Sequence, residues 1–162
     1  MNVNNVNKEK KQAGFTLMEL IVVMAILGLL ATIGLASFRN SQLKSRDAKR
    51  KSDLEQVQRA LEMYHNDYGQ YPDSSNGQIM VGLSTIAWGD EMKDANTLYM
   101  KELPKDPTGN PEYCYLFEAG PPAGYKLYAK LENTQDPKIA GPYACGGNSN
   151  YNYGVASSNL SP

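Results

Sequence analysis

The sequence predicts an α+β fold in which a long N-terminal helical spine packs against a small C-terminal antiparallel β-sheet. Three observations carry this. Phe15–Phe38 is a 24-residue run whose only charged side chain is Glu19 and which holds no Pro. Beyond Phe38 the composition turns polar, yet neither Gly nor Pro occurs until Gly69, and Leu54, Val57, Leu61, Tyr64 and Tyr68 recur at alternating spacings of three and four. Such spacing is the apolar stripe of an amphipathic helix. Two Tyr-rich segments, EYCYLFEA and GYKLYAKLE, then flank AGPPAG and read as strands joined by a hairpin turn.

The expected organisation follows from these changes of pattern. Residues 1–14 form a leader, 15–38 an apolar helix, and 39–68 its amphipathic continuation. Residues 69–112 are a connecting region, 113–145 a sheet region, and 146–162 a flexible tail.

The apolar run is long enough, at about 36 Å of helix rise, to cross a bilayer core of about 30 Å. A carboxylate within such a run costs about 2.5–3.5 kcal/mol at mid-membrane depth and less near the interface. Glu19 therefore has two readings, a functional group or a side chain resting at headgroup level. Gly28, Thr32 and Ala36 form a small-residue stripe, suited to close helix approach or simply ordinary membrane composition. Gly28 and Gly34 are the points where this helix bends most readily.

The junction before the run is the most specific feature of the chain. A polar leader with Lys8, Lys10 and Lys11 ends at Gly14, followed by Phe15-Thr16-Leu17-Met18-Glu19 and unbroken aliphatics. GFTLMEL resembles the processing site of type IV prepilins and of type II secretion pseudopilins. The resemblance implies that a membrane-embedded prepilin peptidase cuts between Gly14 and Phe15 and N-methylates the new Phe15 amine. It also implies that the apolar helix is retained, whereas a secretory signal is cut after its apolar region. Glu19 becomes the candidate assembly residue. In relatives a Pro often stands where this chain has Ala36, so no proline kink is carried over.

Two further stretches extend the resemblance. ALEMYHNDYGQYP resembles the segment that closes the first helix of pilins and major pseudopilins. Gly69 is its C-cap and Pro72 prevents continuation. LPKDPTGNPEY resembles the DPWGNPY turn of secretion pseudopilins, with Thr108 in place of Trp. Their calcium-binding acidic segment has no clear counterpart, so no metal or cofactor is expected.

Charge and cysteine usage bound what remains. The full chain has 16 basic and 17 acidic residues, and removing the leader's three Lys and one Glu leaves 13 and 16. No whole-protein basic surface for nucleic acid is implied. Arg39, Lys44, Arg46, Lys49, Arg50 and Lys51 nevertheless outnumber the three Lys before the run, so counting Lys and Arg alone would place the C-terminal part in the cytoplasm. The junction and the cysteines favour export instead. The basic cluster then meets anionic headgroups, acidic neighbours, phosphates of nucleic acid, or solvent. Asp47–Lys51 and Glu55–Arg59 add i,i+4 pairs.

If exported, Cys114 and Cys145 meet an oxidising compartment that favours a disulfide; two unpaired thiols are the alternative. A third strand is expected near 139–145, tying the sheet's last strand to its first. In the connecting region SSNG reads as a loop and ANTLYMKEL as a short helix. Asp90, Glu91 and Asp94 lack the oxygen spacing of a calcium loop and read as surface charges. His65, the only histidine, suits a helix C-terminus. No nucleophile elbow, phosphate loop or metal-spaced cluster accompanies it, so no enzyme is indicated.

The resulting expectation is a structural subunit, a pilin or major pseudopilin, polymerised into a type IV pilus-like or secretion pseudopilus filament. Its partners would be the prepilin peptidase, copies of itself, other pilin-like subunits and an inner-membrane assembly platform. Before assembly it would be a single-pass inner-membrane protein with its C-terminal part exported, and afterwards part of an extracellular or periplasmic filament. The alternative is a membrane-anchored binding protein for DNA uptake or adhesion.

Overall fold

The computed structural model describes residues 14–109 and 111–162, apart from the side chain of Ala36. The leader expected over 1–14 lies outside the described residues except for Gly14. One helix, α1 (Leu17–Tyr68), carries the N-terminal third, starting two residues later than the apolar run. The chain divides into two compact units, 1–40 and 41–162. In the first, α1 is apolar on every side and its large side chains are exposed, including Leu20, Ile26, Leu30 and Ile33. Unburied Leu and Ile on all faces suit lipid or other helices rather than water.

In the second unit α1 turns amphipathic. Leu54, Val57, Leu61 and Tyr64 are buried while Tyr68 is half exposed. The helix closes as its sequence directs. Gly69 has φ +72° and donates its N–H to the His65 carbonyl at 2.7 Å, a left-handed cap that glycine adopts without steric cost.

Ten strands follow among the described residues. β1 (Asp73–Ser75), β2 (Gln78–Val81) and β3 (Ser84–Ile86) form one antiparallel sheet in that order. The expected SSNG loop is its first hairpin turn: Asn76 and Gly77 have φ +48° and +80°, the pairing that suits a right-handed twist. β4 (Met92–Lys93) and β5 (Leu98–Met100) make a small hairpin where a short helix was expected. Runs of only two to four strand residues carry too little periodicity to distinguish the two.

The central sheet has the order β10-β7-β6. β6 (Cys114–Glu118) pairs antiparallel with β7 (Gly124–Ala129) across the expected AGPPAG turn, with Tyr115 opposite Leu127. The third strand is not the expected 139–145 segment but β10 (Tyr153–Ala156), which pairs with β7 from Tyr153–Ala129 to Ala156–Lys126. The expected flexible tail thus carries the third strand of the central sheet. Tyr151 and Tyr153 supply the burial that its few aliphatics do not. β8 (Tyr143–Cys145) pairs instead with β9 (Asn148–Tyr151).

Both faces of this sheet are covered. Tyr115, Tyr125 and Leu127 belong to the main core with Leu54, Val57 and Leu61 of α1. Cys114, Tyr128, Cys145 and Tyr151 form a second cluster, in which Tyr128 stacks on Tyr143 at 4.8 Å. Cys114 and Cys145 are bonded, S–S 2.02 Å, linking β6 to β8. The first sheet is joined to β6 by Tyr115, whose N–H donates to the Gly77 carbonyl at 2.8 Å and whose hydroxyl donates to the Pro72 carbonyl at 2.6 Å.

Candidate functional site

The junction expected to be processed, Gly14–Phe15, lies at the start of the described residues. Gly14 has open space where a Cβ would stand, and Phe15 is 89 % exposed. Neither belongs to α1, which begins only at Leu17. Thr16 is the residue that stops it there. Its hydroxyl accepts the Glu19 N–H at 3.2 Å, while Glu19 Oε2 accepts the Thr16 N–H at 2.8 Å and the Thr16 hydroxyl proton at 2.7 Å. This reciprocal pattern is a capping box, in which two unpaired N–H groups of a helix start are satisfied together.

Glu19 is therefore positioned within its own chain, one oxygen committed to Thr16. Its Oε1 makes no hydrogen bond among the described residues. The cap leaves the Gly14–Phe15 peptide bond outside the helix. The sequence reading missed Thr16. The signal was present, since Thr-x-x-Glu before an apolar run is the capping-box signature.

The basic cluster that opens the second unit divides in two. Arg46, Arg50 and Lys51 face inward. Arg50 is only 2 % exposed and grips Asp106 with two hydrogen bonds, 2.6 and 3.0 Å. It also bonds Asp47 at 2.8 Å, Glu132 at 2.7 Å and the Thr108 hydroxyl at 3.1 Å. Arg46 forks onto both oxygens of Glu132, and Lys51 pairs with Asp136 at 2.5 Å. Asp47 completes the arrangement by accepting the N–H groups of Glu132 and Asn133 at 2.9 and 2.8 Å.

These contacts correct two expectations. Asp47 pairs with Arg50 rather than Lys51, and half of the cluster is held by acids of the same domain rather than left to headgroups or phosphates. Electrostatics follow the geometry. Hydrogen bonds from Arg46, then from Arg50, hold the Glu132 carboxyl down to about 2. Burial works against the charge of Asp106, but the Arg50 and Thr108 contacts outweigh it and its pKa is lowered. Asp53 goes the other way: burial raises its pKa against the hydrogen bond that the Tyr113 hydroxyl donates to it at 2.7 Å.

The LPKDPTGNPEY turn owes its place to this network. Thr108 donates its N–H and hydroxyl to Asp106 at 2.8 and 2.6 Å, and Asp106 is what Arg50 holds. Asp94 is more than a surface charge: Tyr68, Tyr99 at 3.0 Å and the N–H groups of Asn96 and Thr97 all donate to it. His65 packs its ring on Tyr71, centroids 4.4 Å apart. No group of metal-ligating side chains occurs among the described residues.

Comparison with known proteins agrees with both regions. Residues 10–35 match the family described as Prokaryotic N-terminal methylation motif, and residues 38–136 match the family Type II secretion system (T2SS), protein G. The chain is 36 % identical over 110 residues to a type II secretion system core protein G of Vibrio cholerae, covering 67 % of this chain and 73 % of the relative. It is 34 % identical over 104 residues to that of Aeromonas hydrophila, covering 64 % and 73 %. With that of Pseudomonas aeruginosa it is 34 % identical over 124 residues, covering 75 % and 84 %. No solved structure matches at the same level of significance. With the methylation motif across the start of α1 and the protein G match over most of the domain, the chain belongs to the type II secretion system protein G family, the structural subunits called pseudopilins.

Proposed function

We propose that the chain is a filament subunit processed at its N-terminus and polymerised into a type II secretion pseudopilus. A prepilin peptidase hydrolyses the Gly14–Phe15 bond, leaving a carboxylate on Gly14 and a free amine on Phe15, which is then N-methylated. The apolar part of α1 anchors the subunit in the inner membrane of a bacterium, and residues 41–162 are exported to the periplasmic side. An assembly platform in that membrane then adds it to copies of itself and to other pseudopilins.

The observation that carries this reading is the capping box. It fixes Glu19 one turn from the new amine while leaving Oε1 without a partner among the described residues. A cationic amine in an apolar filament core is costly unless paired, and a neighbouring Glu19 supplies the counter-charge. Each added subunit thereby finds its register, and aliphatic packing of residues 20–38 supplies cohesion. In cells with the assembly machinery, Glu19→Ala is expected to be cleaved and inserted yet to yield few or no filaments. Assembly of Glu19→Ala at the parent rate would contradict the pairing.

A further inference from the structure

The cations of α1 that the internal network leaves over mark a surface of their own. Lys44, Lys49 and Arg59 are exposed and make no ion pair among the described residues; the expected Glu55–Arg59 pair is not formed. At 100° per residue Lys44 and Lys49 flank one outward strip of the helix; between them it holds Ser45, Ala48 and Ser52, and it continues through Glu55, Gln56 and Arg59, all exposed. Up to Ser52 the side chains between the two lysines are small, and with Arg59 against Glu55 the face as a whole carries a net positive charge.

The other end of the same domain carries the opposite charge. An open groove of about 810 Å³ is bordered by Tyr64, Tyr68, Asp90, Glu91 and Asp94, with Lys93 its one cation. Asp73 adds a further negative charge near Tyr64. Asp94 is held in place by its Tyr and backbone donors, Lys93 pairs with Glu91, and the Asp90 carboxylate has no partner among the described residues. Beside the groove, Leu83 stands 98 % exposed at the β2–β3 turn.

We infer that the acidic groove end of one subunit docks on the Lys44–Lys49–Arg59 face of α1 in the next copy of this chain. The inference rests on the filament reading. Charge complementarity names the occupant, because both surfaces of the contact are present once on every copy. The two surfaces differ, so the contact is heterologous, and a heterologous contact that does not close generates an open filament. They are also offset along α1: Tyr64 lies fifteen residues beyond Lys49, about 22 Å of helix rise. Leu83 adds an apolar contact at the rim, where the small side chains of the strip leave room.

The test uses the full chain in cells with its peptidase and assembly platform. Filament yield is measured for the parent, for Lys44→Glu with Lys49→Glu, for Asp90→Lys with Glu91→Lys, and for all four changes together. Each double reversal is expected to lower the yield about tenfold, the equivalent of a few exposed charge pairs, and the fourfold variant to recover to within about threefold of the parent. Subunit level and circular dichroism should stay unchanged, since all four side chains are exposed. Parental yield from either double reversal, or no recovery in the fourfold variant, would overturn the docking. Loss confined to the lysine reversals would assign that face to anionic lipid or to the platform instead, and equally overturn it. Absence of filaments from the processed parent would remove the filament reading itself, and the docking with it.

Discussion

Arg50 and Asp106, separated by 56 residues, face each other inside the domain with two hydrogen bonds of 2.6 and 3.0 Å. Through them the second half of α1 is fastened to the turn that precedes β6. Because Arg50 also holds Asp47 and Glu132, its removal strands several carboxylates in a closed site. Arg50→Ala is expected to destabilise the domain by about 3–5 kcal/mol, the usual effect of breaking a buried pair from one side. Arg50→Lys should recover only part of this, since an ammonium cannot reproduce the planar fork. Urea unfolding of the two variants measures both.

The same network makes stability depend on acid. Glu132 and Asp106 ionise at lower pH in the folded domain than in the unfolded chain, whose ordinary values are about 4.3 and 3.9. Their contribution is complete above about pH 4.5 and is lost as the pH falls through the folded values, about 2 for Glu132. Asp53, with its raised pKa, acts in the opposite sense: what it contributes is present in acid and lost as the pH rises. Unfolding free energy should therefore fall between pH 4.5 and 2, and less steeply in Glu132→Gln. An unchanged slope in that variant would contradict the assignment.

The disulfide closes a segment of 31 residues and ties the second cluster to the sheet. Reduction, or Cys114→Ser with Cys145→Ser, should lower stability by about 3–4 kcal/mol on the chain-entropy account. The turn beneath it is equally constrained. A Cβ on Gly77, at φ +80°, would come 2.4 Å from Cys114 Sγ, so Gly77→Ala should cost about 1–3 kcal/mol. Thermal unfolding with and without reductant separates the two effects, because the Gly77→Ala cost should shrink once the sulfur is free to move.

Thr16 sets where α1 begins, and its replacement tests whether that matters to Glu19. Thr16→Ala removes the hydroxyl that Glu19 both receives from and donates to, at a cost of about 1 kcal/mol to the helix start. Thr16→Ser keeps the oxygen. Filament yield should fall in the alanine variant and hold in the serine variant. Equal yields would show that Glu19 needs no internal support.

How legible these features were in the sequence depended on how far apart their partners lie. The stripe of Leu54, Val57, Leu61 and Tyr64, the Gly69 cap and the β6–β7 hairpin are local patterns, and the structure reproduces them. β10 escaped notice because NYNYGVA has few aliphatics and its burial comes from tyrosines. The burial of Arg50 was hidden for a different reason. Lys44 and Lys49 look the same as Arg50 in sequence, and only acids 56 and 82 residues away decide which cation is taken inside.

Filament assembly depends on the fate of the Gly14–Phe15 bond, which intact mass and N-terminal sequencing of the protein recovered from its native envelope read out. The predicted product begins at Phe15 and carries one N-methyl group. A chain still beginning at Met1, in cells whose prepilin peptidase is active, would leave the Phe15 amine unformed and contradict the filament mechanism.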